Sequence, residues 1–112
     1  MARLIVVVND VSEEGAAVPL RYAATAAALD AQAELHCVGT SVAWLRKGAA
    51  GPALLAQLLD AVEAGVAIYA CPQALASHGI AADALAPQVA GIRGAAAMLA
   101  AGFAPDARFM NF

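Results

Sequence analysis

Cys71 is the residue of this 112-residue chain whose position best suits covalent chemistry. It follows the apolar run Val66–Ala70 and precedes Pro72, and proline is favoured at the first position of a helix. This order predicts that Cys71 is the N-cap between a strand and a helix, with its sulfur facing the free N–H groups of Gln73–Leu75. Those groups and the helix dipole would favour the thiolate, which is the nucleophilic form. The alternative is a small buried side chain at a strand end.

The other cysteine and the two histidines have structural interpretations. Cys37 lies inside the run Glu34–Val38, so we predict that it packs in the core. His36 alternates with it and is predicted to face the other side of the sheet, as a hydrogen-bonded structural group. His78 would lie about 10 Å along a helix from Cys71, which excludes it as the direct base of that thiol within one subunit. It either approaches the thiol of a neighbouring subunit or is a solvated residue at a helix end.

The remaining polar groups predict neither a cofactor site nor a metal site. Asn9 and Asp10 end the first apolar run, where they either bind a ligand or cap a helix or loop. Arg46 and Lys47 form the only adjacent basic pair, which suits an acidic partner or plain solvation. The loop Gly48–Gly51 lacks the lysine and hydroxyl of a phosphate-binding loop. No spacing of cysteines, histidines and carboxylates is typical of a metal site.

Five apolar runs alternate with helical patterns, an order that predicts an α/β fold with a parallel sheet and helices on both faces. The predicted strands are Leu4–Val8, Glu34–Val38, Val66–Ala70, Gln88–Ile92 and Ala107–Phe112. The predicted helices lie within Ser12–Ala33, from Pro52 to Gly65, over Gln73–His78 and over Gly94–Ala101, with one helical turn over Val42–Lys47. Ligands bind beyond the carboxyl ends of the strands in such folds. The candidates there are Asn9, Asp10, Gly39–Ser41 and Cys71.

The helix that begins at Pro52 has the clearest amphipathic pattern. Apolar side chains recur at the spacing of one helix face, while polar side chains occupy the other. The predicted buried face contains Leu54, Leu55, Leu58, Leu59 and Val62, and the polar face contains Gln57, Asp60 and Glu63. Gly65 is suited to end this helix.

The composition predicts self-association. Apolar residues make up 62% of the chain and charged residues only 13%, against roughly 25% charged residues in an ordinary globular chain. The length fits a single domain over residues 1–112, whose small core does not hide so much apolar surface. We therefore expect a homo-oligomer. The alternative is an alanine-rich composition without association.

Charge and targeting features limit partners and location. The net charge is −3 and the six basic residues are scattered, which argues against direct binding of nucleic acid. Neither a signal peptide nor a membrane-spanning stretch is visible. These features predict a cytoplasmic protein with two reduced thiols.

The order of these pieces resembles the DsrE/DsrF-like family of small sulfur-relay proteins over nearly the whole chain. The resemblance rests on five segments, and the stretch Gly65–Ile80 is the most specific part of them. The segments are Leu4–Ala28, Ser41–Gly48, Glu63–Cys71, Cys71–Ile80 and Asp106–Phe112.

The resemblance implies one DsrE-like domain with a three-layer α/β/α fold and a five-stranded parallel sheet, assembled as trimers or hexamers. It also implies that Cys71 is the catalytic residue of a sulfur carrier or sulfurtransferase. This residue would accept sulfane sulfur from a donor protein as a persulfide and pass it to an acceptor protein. Gly79 follows at the expected place. The alternatives are a non-catalytic homo-oligomeric binding module and a structural subunit of a relay-type complex.

Overall fold

A computed structural model of the chain describes residues 2–112. Five parallel strands form one sheet in the order β4-β3-β2-β1-β5. The strands are β1 (Arg3–Asn9), β2 (Gln32–Val38), β3 (Ala67–Ala70), β4 (Val89–Ile92) and β5 (Ala107–Asn111). The helices are α1 (Ala17–Ala28), α2 (Pro52–Ala64), α3 (Pro72–Ser77) and α4 (Ala95–Gly102), and two 3₁₀ helices cover Gly39–Leu45 and Ala82–Ala84. The predicted α/β fold with five parallel strands is confirmed.

The connections explain why helices cover both faces of the sheet. From β1 to β4 each strand is added on the same side of the previous one, whereas β5 returns to the far edge beside β1. Right-handed crossovers therefore place α4 on the opposite face from α1 and α2. In agreement, α1 and α2 pack against each other, while α4 packs against β1 and β5.

The helical turn predicted over Val42–Lys47 lies earlier in the chain, over Gly39–Leu45. Gly39 adopts a positive φ of +58° directly after β2, so the chain turns at once into the 3₁₀ helix. Trp44 fixes this helix because it is buried and its Nε1–H donates a hydrogen bond to the Val11 carbonyl at 2.9 Å. Lys47 is not helical, since its backbone N–H donates instead to the carbonyl of Ala84.

The apolar face predicted for α2 divides into a buried stripe and an exposed stripe in the structure. Leu54, Leu58 and Ala61 are buried at the helical spacing of one narrow stripe. The prediction was wrong for the other three apolar residues, which form a second stripe with 39–47% of their surface exposed, namely Leu55, Leu59 and Val62. The predicted end at Gly65 is confirmed by its left-handed φ of +111°. The exposed stripe fits the homo-oligomer, which stays a prediction.

Over residues 2–112 no helix is both long and apolar enough to cross a bilayer.

Candidate functional site

Cys71 lies where the sequence places it, between β3 and α3. Its backbone N–H donates to the Cys37 carbonyl at 3.0 Å, which extends the pairing of β2 with β3 by one residue. Its own carbonyl accepts the first helical hydrogen bond of α3, from the N–H of Leu75 at 3.0 Å. Its thiol is free and partly exposed. The strand and the helix therefore fix the backbone of Cys71 from both sides, and the residue is only partly buried.

The sulfur does not make the helix-capping contact that the sequence suggests. Cys71 is the N-cap of α3, but its side chain forms no capping hydrogen bond. Pro72 has no N–H, and the N–H of Leu75 is already bonded to the carbonyl of Cys71. The N-cap position predicted for Cys71 is confirmed, but its sulfur forms no hydrogen bond with the N–H groups of Gln73–Leu75, and the effect of the helix dipole on the thiol stays a prediction.

A cavity of about 460 Å³ opens beside Cys71 at the carboxyl edge of the sheet. Its walls come from the ends of β2 and β3, from one side of α3 and from the first residues of α4. The ionisable side chains that line it are those of Cys71, His36, His78 and Arg93. Cys71 and His78 lie at opposite ends of α3, and both line this cavity.

A group of four side chains supports the wall of this cavity. Glu34 accepts a hydrogen bond from Nε2 of His36 at 2.9 Å and lies 3.5 Å from Nη1 of Arg93. The guanidinium of Arg93 sits 4.0 Å above the ring centre of Tyr69, and the His36 ring lies 5.1 Å from the same ring. The side chain of Glu34 is only 13% exposed, so the hydrogen bond from His36 and the positive charge of Arg93 compensate the cost of burying its charge.

The sequence of residues 2–107 matches that of the DsrE/DsrF-like family. The chain belongs to the DsrE/DsrF-like family. No curated protein matches the sequence. Membership implies a function of the sulfur-relay type in general.

Solved structures confirm the fold of this DsrE/DsrF-like chain. The ychN protein from E. coli is 19% identical with a TM-score of 0.80, and each chain is covered over 100% of its length. MTH1491 from Methanobacterium thermoautotrophicum, a protein of unknown function, is 15% identical with a TM-score of 0.79 and the same full coverage. At these identities the likeness shows a shared fold.

The second cysteine of the chain, Cys37, has a buried thiol. It is fully buried among the core residues between the sheet and the helices. Burial raises the pKa of the Cys37 thiol well above its usual range, because a thiolate is poorly solvated there. The prediction that Cys37 packs in the core is confirmed.

His36 is also buried, and its ring is held neutral. Burial lowers the pKa of its imidazole, and the charge of Arg93 acts in the same direction. The hydrogen bond and the negative charge of Glu34 oppose these effects without reversing them. The prediction of a hydrogen-bonded structural histidine is confirmed, and its ring also forms part of the cavity wall beside Cys71.

The neutral His36 makes folding stability depend on pH. In the unfolded chain its imidazole binds a proton as the pH falls through about 6.5, whereas the folded state resists that proton. Unfolding therefore takes up a proton below about pH 6.5, and stability is lost as the pH falls. Between about pH 7.5 and about pH 5.5 we expect the free energy of unfolding to fall further in the wild type than in His36→Gln, which has no titrating group at this position. Urea unfolding at both pH values measures this, and an equal loss in both proteins would contradict it.

Two of the other candidates at the strand ends, Asp10 and Ser41, form hydrogen bonds between loops. Asp10 has a positive φ of 54°, and its Oδ1 accepts the backbone N–H of Thr40 at 2.8 Å. Ser41 is buried, and its Oγ accepts the backbone N–H of Val11 at 2.9 Å. These contacts join the loop after β1 to the loop after β2. Of the residues predicted at this edge, Gly39 and Cys71 line the cavity.

Arg93 was missed by the sequence analysis, although a signal for it exists. It directly follows β4, the neighbour of β3, and its backbone N–H donates to the carbonyl of Ala70 at 3.0 Å. The rule that carboxyl ends of parallel strands meet at one edge applies to the predicted strand Gln88–Ile92 as well. Had it been applied there, it would have placed Arg93 at the same edge of the sheet as Cys71, while their proximity depends on the strand order.

Proposed function

We propose that this chain is a sulfur carrier that accepts sulfane sulfur on Cys71 as a persulfide and passes it to an acceptor thiol. One observation carries the proposal. Of its two cysteines, Cys37 is fully buried, whereas Cys71 is partly exposed and opens into a cavity at the strand ends. Family membership supports chemistry of the sulfur-relay type at that position.

The reaction requires a thiolate and a donor persulfide. The Cys71 thiolate attacks the terminal sulfur of the donor, the bond between Sγ and that sulfur forms, and the S–S bond of the donor breaks. The donor leaves as a thiolate, and Cys71 holds the transferred sulfur. An acceptor thiolate then attacks that outer sulfur and restores the Cys71 thiolate. No external oxidant or reductant is consumed, because one neutral sulfur atom moves between thiols.

The setting of this proposal follows from the sequence. Residues 1–112 would act as one DsrE-like domain of a cytoplasmic relay, with donor and acceptor proteins as partners. A trimeric or hexameric homo-oligomer would bury the exposed stripe of α2 and further exposed apolar side chains such as Phe103, which is 78% exposed. Those exposed side chains equally support the alternative function, a non-catalytic binding or structural subunit of a relay-type complex.

Intact-mass measurement tests the proposed function. After incubation with a persulfide donor, the wild-type chain should gain the mass of one sulfur atom, and dithiothreitol should remove it. Peptide mapping should place the added sulfur on Cys71. If the folded protein stays unmodified and Cys71 also resists iodoacetamide, the thiol is inert and the non-catalytic alternative replaces this proposal.

A further inference from the structure

The wall of the cavity beside Cys71 carries the positive charge of Arg93, although the chain is acidic. The chain carries a net charge of −3. Among the described residues that line the cavity none carries a carboxylate, and the permanent charge there is the guanidinium of Arg93, since the imidazole of His36 is neutral. Two carboxylates lie close to lining residues without lining the cavity themselves: Glu34 pairs with Arg93 and His36, and Asp10 lies against Gly39 and accepts the backbone N–H of Thr40. The walls of this cavity therefore favour a ligand with negative charge.

Arg93 is positioned to recognise that charge. Its guanidinium rests on the ring of Tyr69 and is oriented by Glu34, so little further ordering is needed when a ligand arrives. The contact with Glu34 involves one nitrogen, Nη1, at 3.5 Å. A guanidinium has five N–H donors, and the side chain is 41% exposed. Donors therefore remain for a carboxylate, the anion whose planar geometry an arginine matches.

The start of α4 adds to the same preference. Gly94 is the N-cap of α4, and no side chain caps this end. Gly94 and Ala95 line the cavity next to Arg93. The positive end of the helix dipole thus adds to the charge of Arg93 on the same wall.

The size of the cavity indicates the class of ligand. About 460 Å³ lies within the range of roughly 300–1,000 Å³ that is usual for small-molecule sites. One cysteine side chain from a partner protein would fill only part of that space. A thiol compound that carries its own acidic group would fill more of it and would also meet Arg93.

We propose that the cavity binds a low-molecular-weight persulfide that carries a carboxylate, with Arg93 binding the carboxylate while the terminal sulfur meets Cys71. This inference rests on the proposed function. In the transfer step, the Cys71 thiolate bonds to the terminal sulfur, the S–S bond of the small molecule breaks, and the carboxylate-bearing thiolate departs. Arg93 acts as a specificity-determining residue, since it distinguishes donors by their charge.

Three matched donors test the inference. The persulfides of 3-mercaptopropionate, 2-mercaptoethanol and cysteamine have the same two-carbon spacer and end in an anion, a neutral hydroxyl and a cation. Their rates of sulfur transfer to Cys71 are measured by intact mass in the wild type and in Arg93→Gln. We expect the wild type to prefer the anionic over the cationic donor about tenfold more strongly than Arg93→Gln does. Comparing the two proteins cancels the intrinsic reactivity of each donor.

Two controls keep the result interpretable if Arg93→Gln folds poorly because Glu34 loses its partner. The double variant Glu34→Gln/Arg93→Gln removes both charges and leaves no unpaired carboxylate. In the wild type alone, the preference for the anionic donor should shrink as the salt concentration rises. A preference that is the same in all three proteins and insensitive to salt would overturn the inference.

A binding measurement separates this inference from the proposed function. Cys71→Ser is titrated with 3-(methylthio)propionate and with 2-(methylthio)ethylamine, neither of which transfers sulfur, and the amide signals of Arg93 to Ala95 are followed by NMR. We expect shifts with the anion only. If no donor loads the wild type but the anion binds, the proposed function fails and the anion site stands. If loading occurs but neither compound binds, the cavity is not the recognition site and a protein donor becomes the better interpretation.

Discussion

Cys71→Ser should lose all loading with sulfane sulfur, whereas Cys37→Ala should keep it. The serine hydroxyl has a size similar to that of the thiol but does not form a stable adduct with sulfane sulfur. The variant should therefore keep its fold and lose the ability to accept sulfur. Cys37 is fully buried, and its burial-raised pKa keeps it protonated, so it does not take over the reaction. Intact mass after incubation with a persulfide donor measures both variants.

The two cysteine variants also differ in stability. Cys37→Ala leaves a small cavity in the core and should lower the free energy of unfolding by about 1 kcal/mol. Cys71→Ser changes a partly exposed side chain without a capping hydrogen bond, so its stability should stay close to that of the wild type. Light scattering should show the same oligomer size for both. Loading that survives in Cys71→Ser, or that is lost in a folded Cys37→Ala, would contradict the assignment.

Gly39→Ala should be strongly destabilising, by about 3 kcal/mol. The φ of +58° at Gly39 is unfavourable for any residue with a Cβ, and this alone costs about 1–2 kcal/mol. A Cβ at this position would also collide with the carboxylate of Asp10 and the amide oxygen of Asn9. Relieving that collision would move Asp10 away from the N–H of Thr40. Urea unfolding of both proteins gives the difference in free energy.

Gly48→Ala is the matched control for this prediction. Gly48 has a similar φ of +73°, but nothing lies within 4 Å of the position its Cβ would occupy. Gly48→Ala should therefore lower the free energy of unfolding only by the cost of the positive φ, about 1–2 kcal/mol. Equal losses in the two variants would show that the contact between Asp10 and the loop after β2 adds nothing to stability.

The patterns that predicted the fold are local in sequence. The apolar run Leu4–Val8 lies within β1, as predicted. The order of Cys71 and Pro72 marks the start of α3, as predicted. Both signals depend only on residues that are neighbours in the sequence. The apolar residues of α2 show that a local pattern does not decide which side chains are buried. Leu55 and Leu59 match the helical period as well as Leu58 does, but only the position of α1 and the sheet decides which stripe is buried.

The sequence by itself determined the order of the strands and helices, the location of Cys71 at a strand end and the burial of Cys37. Only the tertiary structure decided what lies around Cys71. The register of β2 and the position of β4 beside β3 bring together His36, Cys71 and Arg93, which are far apart in sequence. The physical reason is that strand order and pairing arise from long-range packing. The charge and size of the cavity depend on that packing and on no single segment of the chain.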